Sequence, residues 1–194
     1  MTEQRDRILS AARALLAEGG PGAISFDKLA ARLGMTKQAV LYWYPSKRDL
    51  LAGLFLPWLE AEAQALEAAV EGVTDEDAAV TAYLRALVGF HLRDLDRFRA
   101  MYLIPQTLGK GSARDLAPDE RIYAITDRIY GVLARRLEGP NGEARREAVA
   151  MHAAGLGLVT MLALGEGLGD PMKHGAEALT EALIARLTKG EGRA

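Results

Sequence analysis

Residues 25–47 read SFDKLAARLGMTKQAVLYWYPSK. Leu29 and Leu33 precede Gly34, and Val40 follows it, so apolar residues at helical spacing flank a glycine turn. Ala30 is small where two crossing helices have to approach each other. Ser25 and Thr36 stand where N-caps are needed, because their hydroxyls accept from the free amides of a first turn. Gly34 ends the first helix and Pro45 stops the second. Two short helices joined this way form a helix-turn-helix.

The chemistry of each position follows from that geometry. The second helix of such a motif presents polar side chains to base edges at its N-terminal end. Lys37 and Gln38 sit there, behind Thr36. Glutamine suits bidentate contact with adenine, and lysine suits guanine O6 and N7. Tyr42 and Trp43 bring hydroxyl and indole donors for the DNA backbone. Lys47 opens the next helix, where charge and helix dipole both favour a phosphate. With Ser25 and Lys28 these residues make up the candidate DNA-binding set.

The order of features resembles the TetR family of bacterial repressors. An amphipathic first helix is followed by the helix-turn-helix, an aromatic-Pro-Ser-Lys run and a long helix. The matching residues are Ser25, Leu29-Ala30, Leu33-Gly34-Met35-Thr36, Val40, Tyr44, Ser46-Lys47 and Leu50-Leu51. The interval from Gly34 to Lys47 matches the family without a gap. The resemblance implies a homodimer that binds a palindromic double-stranded DNA operator and is released by a small-molecule effector held in the C-terminal domain. It also implies that Tyr44 faces the core. One departure stands out: the family's frequent phosphate-binding tyrosine falls at Leu41, and Tyr42 lies one residue on, about 100° around the helix. Either Tyr42 and Trp43 reach the backbone from another angle, or the end of the helix is re-registered.

Charge supports a two-part chain. The 194 residues have a formal net charge of −2, yet residues 1–50 sum to +3 and residues 51–194 to −5. A mildly basic head on an acidic body fits one nucleic-acid-binding domain on a larger domain of another purpose. We expect a helix-turn-helix domain over 1–48 and an effector-binding and dimerisation domain over 49–194.

Outward from the motif, the pattern is helical throughout, and the fold class is all-α with about nine helices. Ile8, Leu9, Ala12, Leu15 and Leu16 mark the first helix, closed by Gly19-Gly20-Pro21-Gly22. Ser46 to Asp49 reads as a capping box for a helix to about Val70, with a kink or break at Pro57. Further helices are expected from Thr74 to Leu95, Asp96 to Thr107, Pro118 to Leu137, Glu143 to Leu168 and Gly175 to Thr188. Residues 108–117 read as a mobile loop, and Gly139-Pro140-Asn141-Gly142 as a turn.

In the second half, Ala154, Gly155, Gly157, Thr160 and Ala163 are small enough to let another helix pack closely. With Leu179, Leu183 and Leu187 of the last helix, the resemblance assigns them to a dimer interface; the alternative is an ordinary buried core helix. Candidate ligand-binding residues are Phe90, His91, Phe98, Met101, Tyr102, Gln106, Tyr123 and Met151, a set suited to a largely apolar or aromatic effector with one or two hydrogen bonds.

Several classes are disfavoured. With no cysteine there are no disulfides, zinc ribbons or iron–sulfur clusters. His91 and His152 have no acidic motif at ligand spacing, so neither a metal nor another cofactor is expected. G-x-S-x-G, the phosphate-binding G-x-x-x-x-G-K-[ST] and His-Glu-x-x-His are all absent, which points away from an enzyme. Met1 to Ser10 is polar and carries no signal-peptide pattern. Val149 to Gly165 reads as a buried helix, shorter than a membrane span. A cytoplasmic protein with no membrane partner is expected. The alternative to a DNA-binding regulator is an all-helical interaction module that does not bind DNA.

Overall fold

The computed structural model describes residues 2–19, 21–103, 120–137, 139–168 and 173–188. Among them lie nine α-helices and no strand: α1 (Thr2–Gly19), α2 (Phe26–Leu33), α3 (Lys37–Trp43), α4 (Lys47–Ala69), α5 (Glu76–Leu92), α6 (Leu95–Phe98), α7 (Glu120–Ala134), α8 (Asn141–Leu168) and α9 (Ala176–Thr188). The all-α expectation holds. Contacts divide the chain into two compact units, one of residues 1–59 with 96–123 and one of residues 60–95 with 124–194.

The first unit is built around α1 to α3 and the start of α4. Ile8, Ala12, Leu15 and Leu16 of α1 form its core with Leu29, Val40, Tyr44, Leu50, Leu51 and Leu54. Burying such side chains fully contributes about 1.5–3 kcal/mol each. Leu33, Met35 and Trp43 close the rim of that core, half-buried. Gly34 has φ +65°, and the amides of Gly34 and Met35 bond back to the carbonyls of Ala31 and Ala30. This is the 6→1, 5→2 closure that a left-handed residue makes possible.

The second unit comprises the end of α4, α5, most of α7, α8 and α9. α5 packs on α8 so closely that a Cβ on Gly155 would stand 2.7 Å from Leu87 Cδ2. Gly155 is therefore used within the chain. α5 also meets α9, where Arg85 holds Glu181 by two bonds of 2.7 Å. Arg128 of α7 ties Glu60 and Glu67, two turns apart on α4, at 2.8 Å each.

Several boundaries differ from the sequence reading. α4 runs from Lys47 to Ala69 as one helix through Pro57, so no break occurs there. A proline removes one helical hydrogen bond, and the burial of Leu50, Leu51 and Leu54 before it and of Ala63 and Leu66 after it outweighs that loss. α5 begins at Glu76, two residues after Thr74, because Asp75 caps it, accepting from the Ala78 amide at 2.8 Å. After Phe98 the chain passes into a π-helical turn, Arg99–Leu103, in place of a continuous helix. α8 starts at Asn141, inside the expected turn. Ser46 accepts from the Asp49 amide, while Asp49 reaches back to the Ser46 hydroxyl at 2.6 Å. Pro118 and the loop expected at 108–117 lie outside the described residues.

α8 is not a wholly buried helix. It is long and apolar enough to cross a membrane, and only 39% of the apolar window is buried. Ala148, Met151, Val159 and Ala163 face inward, whereas Val149, Met161 and Leu164 are exposed.

The turn between α2 and α3 is testable by itself. A Cβ on Gly34 would meet nothing within 4 Å, so the cost of Gly34→Ala is conformational alone, about 1 kcal/mol. Asn at this position should cost less, since Asn tolerates the left-handed region. Denaturant midpoints read this order; equal midpoints for glycine and alanine would contradict it.

Candidate nucleic-acid interface

The two N-caps form as expected. Ser25 Oγ accepts from the Lys28 amide at 3.2 Å, and Thr36 Oγ1 from the Ala39 amide at 3.1 Å. Their hydroxyls hold the first turns of α2 and α3 in place and so set the direction in which each helix leaves its cap. Lys28, Lys37 and Gln38 are exposed at those starts. Lys37 Nζ lies 2.9 Å from Asp27 Oδ2, an ion pair between exposed side chains. Asp27 is not among the sequence candidates; its sequence signal is an acid in the first turn of the helix preceding the recognition helix.

At the other end of α3, Tyr42 is 76% exposed and Trp43 is half-buried, their rings edge to face at 5.3 Å. The Tyr44 amide bonds the Val40 carbonyl at 3.0 Å, so α3 keeps its regular register to its end. On this last turn Leu41 is half-buried and Tyr42 is exposed. Tyr44 is buried in the core, as expected, with the Arg5 guanidinium over its ring at 5.2 Å. Lys47 is half-buried as the first residue of α4.

The predicted ligand residues fall in both units. In the first, Phe98 is buried against the ring of Tyr102 at 5.2 Å, Met101 is half-buried and Tyr123 is 59% exposed. In the second, Phe90 meets the His91 ring edge to face at 5.2 Å, and Met151 is buried on α8. Gln106 lies outside the described residues. An open groove between α5 and α9, floored by Val88, Gly89 and Thr180, contains none of the predicted ligand residues.

The second unit also contains a buried polar cluster that the sequence reading identifies only in part. Glu62 of α4 is fully buried, with Oε1 3.5 Å from His91 Nε2 and 3.8 Å from His152 Nε2. The acid absent from the sequence neighbourhood of the two histidines comes from another helix. Its signal is a carboxylate at an inward position of α4, between Trp58 and Leu66 at spacings of four. Tyr83 donates to the Ile129 carbonyl at 3.2 Å and lies 2.9 Å from His152 Nδ1. The Nε2 of His152 faces Glu62. Burial, with a smaller push from His91, lowers the His152 pKa to about 4, although Glu62 opposes the shift. Burial and then the Glu62 charge push the Tyr83 hydroxyl far up, so it stays protonated. Among the described residues no group of three His, Cys, Asp or Glu side chains is arranged to hold a metal ion.

Residues 8–54 match the family model of bacterial regulatory proteins, tetR family. The chain has the all-α fold of a TetR-like transcriptional regulator with an N-terminal helix-turn-helix domain. Similar solved structures include a TetR/AcrR-family regulator from Thermobifida fusca, 25% identical over 98% of this chain and 100% of that one, TM-score 0.59. A tetR-family regulatory protein from Rhodococcus RHA1 is 19% identical over 95% of this chain and 94% of its own, TM-score 0.69. FadR from Bacillus subtilis, solved in complex with stearoyl-CoA, is 15% identical over 95% and 98%, TM-score 0.71. No curated protein matches the chain in sequence.

The His152 environment makes stability depend on pH. Its folded pKa of about 4 lies below the ordinary 6.5, so between those values the unfolded chain binds the extra proton. The stabilisation by this group is complete above pH 6.5 and is lost progressively as pH falls towards 4, by as much as about 3 kcal/mol. Urea titrations from neutral to acid pH should show a steeper fall for the parent chain than for His152→Gln. Parallel curves would contradict a buried neutral imidazole.

Proposed function

We propose that this protein is a ligand-responsive transcriptional regulator, most simply a repressor. It binds a palindromic double-stranded DNA operator as a homodimer through residues 1–48 and is released by a small, largely apolar molecule bound within 49–194. The observation that carries this reading is the capped, glycine-closed pair α2–α3. It leaves Lys37 and Gln38 exposed at the N-terminal end of α3 while Val40 is buried beneath them. The family match over residues 8–54 supports it. The site is in the cytoplasm, where the operator is.

Dimerisation is supported by α8. Val149, Ala153, Gly157, Met161 and Leu164 recur at spacings of three and four and are all exposed, which places them on one side of the helix. A contiguous apolar strip of this kind marks an interaction surface. A two-fold dimer would present its recognition helices to half-sites about 34–36 Å apart, one turn of DNA. Effector binding is supported by the shared fold with FadR, which was solved with an acyl-CoA, and by the Glu62–His91–His152 cluster as a polar anchor within apolar surroundings. The effector has to prefer the dimer geometry that does not fit DNA, and a coupling of about 1–3 kcal/mol would loosen the operator roughly 5–150-fold.

Selection from random-sequence duplexes tests DNA binding directly. The parent chain should enrich a palindrome and bind it as two chains per duplex. Lys47→Ala should weaken binding to every sequence alike and make the salt dependence shallower by about 0.9 in log–log slope. Gln38→Ala should instead flatten preference at an A·T position, at about 1–3 kcal/mol. Enrichment of no motif, with no salt-dependent duplex binding, would favour a helical interaction module.

The apolar strip gives a separate test. Met161→Glu combined with Leu164→Glu should turn a dimer into a 21 kDa monomer in sedimentation, with the helical content unchanged. A dimer that survives both charges would place the interface elsewhere.

A further inference from the structure

The ion pair of Lys37 with Asp27 joins the first turns of α2 and α3, the two helices that set the reading head. We propose that Asp27 is a positioning residue for operator reading: it keeps Lys37 for a base edge and withholds it from the phosphate backbone. The inference rests on the DNA-binding reading above.

Lysine carries its charge on a flexible four-carbon stem, and at the edge of a DNA interface the densest attraction is the phosphate backbone. A lone lysine at the start of a recognition helix would therefore swing to a phosphate and contribute affinity without sequence information. Asp27 changes both terms. Its carboxylate, 2.9 Å from Nζ, fixes the end of the lysine stem against α2. The pair is electrically neutral, so Lys37 brings no net charge for releasing counterions from DNA. An ammonium has three N–H donors; with one committed to Asp27, two remain for guanine O6 and N7. Lys28 and Lys47 differ in this respect: among the described residues neither forms an ion pair, and both keep their charge for phosphates. Asp27 is itself well placed, because a carboxylate in the first turn of α2 is favoured by the helix dipole. It is exposed, and its side chain is not part of the core, so substituting it does not disturb packing.

The experiment is selection from random-sequence duplexes with the full chain, its Asp27→Asn and Asp27→Glu variants, and both charge states of position 37. Asp27→Asn should retain the palindrome and its spacing but lose preference, by about tenfold, at the positions that Lys37 reads. Its binding to an unrelated duplex should tighten several-fold and its salt dependence should steepen by about 0.9. Asp27→Glu should restore the preference. In a Lys37→Met background, Asp27→Asn should change neither preference nor slope. An Asp27→Asn protein with unchanged motif and unchanged salt slope overturns the proposal, as does one whose effect persists without Lys37. A parent chain that enriches no motif fails earlier, and identifies the DNA-binding reading as the error.

Discussion

The left-handed turn at Gly34 is the constraint on which the reading head depends. It lets α2 end within one residue, returns the Ala30 and Ala31 carbonyls to a hydrogen bond, and redirects the chain into α3. The angle so made is locked by Leu29 and Val40, both fully buried. A residue with a Cβ would resist the turn, and a longer connection would let the helices change angle. Because the turn is tight and the inward side of α3 is tied to the core, its polar N-terminal end has to face outward. Exposure of Lys37 and Gln38 follows from burial of Val40.

Electrostatics divides the same surface into parts. Lys28 and Lys47 stand without a carboxylate among the described residues, while Lys37 is neutralised by Asp27. Net charge describes this poorly: a sum over residues 1–50 counts Asp27 as a weakening of a basic domain, whereas its position pairs it with Lys37 at the start of α3. In the second unit the logic is reversed. Glu62, His91 and His152 lie in an interior where charge is costly, and the imidazole of His152 answers by remaining neutral. The Tyr83 hydroxyl joins α5 to α7 and α8 through Ile129 and His152, with Glu62 of α4 beside the two histidines.

Tolerance of Pro57 shows how packing overrides local preference. The residue deletes a helical hydrogen bond, and a reading of the chain alone places a break there. Leucines before it and Ala63 and Leu66 after it are buried with α4 continuous, and their summed burial exceeds the loss. Gly155 is a second case. Small residues in α8 suggest room for a partner helix, yet Gly155 accommodates Leu87 of α5 in its own chain. The side left exposed holds Val149, Met161 and Leu164.

What the amino-acid order determined unaided was local. Helix content, the caps at Ser25 and Thr36 and the turn at Gly34 were all legible. Each depends on residues within about one helical turn of one another, where spacing and backbone geometry suffice. The reading-head candidates were legible for the same reason, since the motif spans a single short stretch. Only tertiary structure decided that Asp27 reaches Lys37, that Glu62 meets two histidines from α5 and α8, and which side of α8 is left uncovered. Those pairings join residues whose separation along the chain carries no periodic signal. They arise when helices choose neighbours, a choice set by the summed fit of many side chains and not by any one of them.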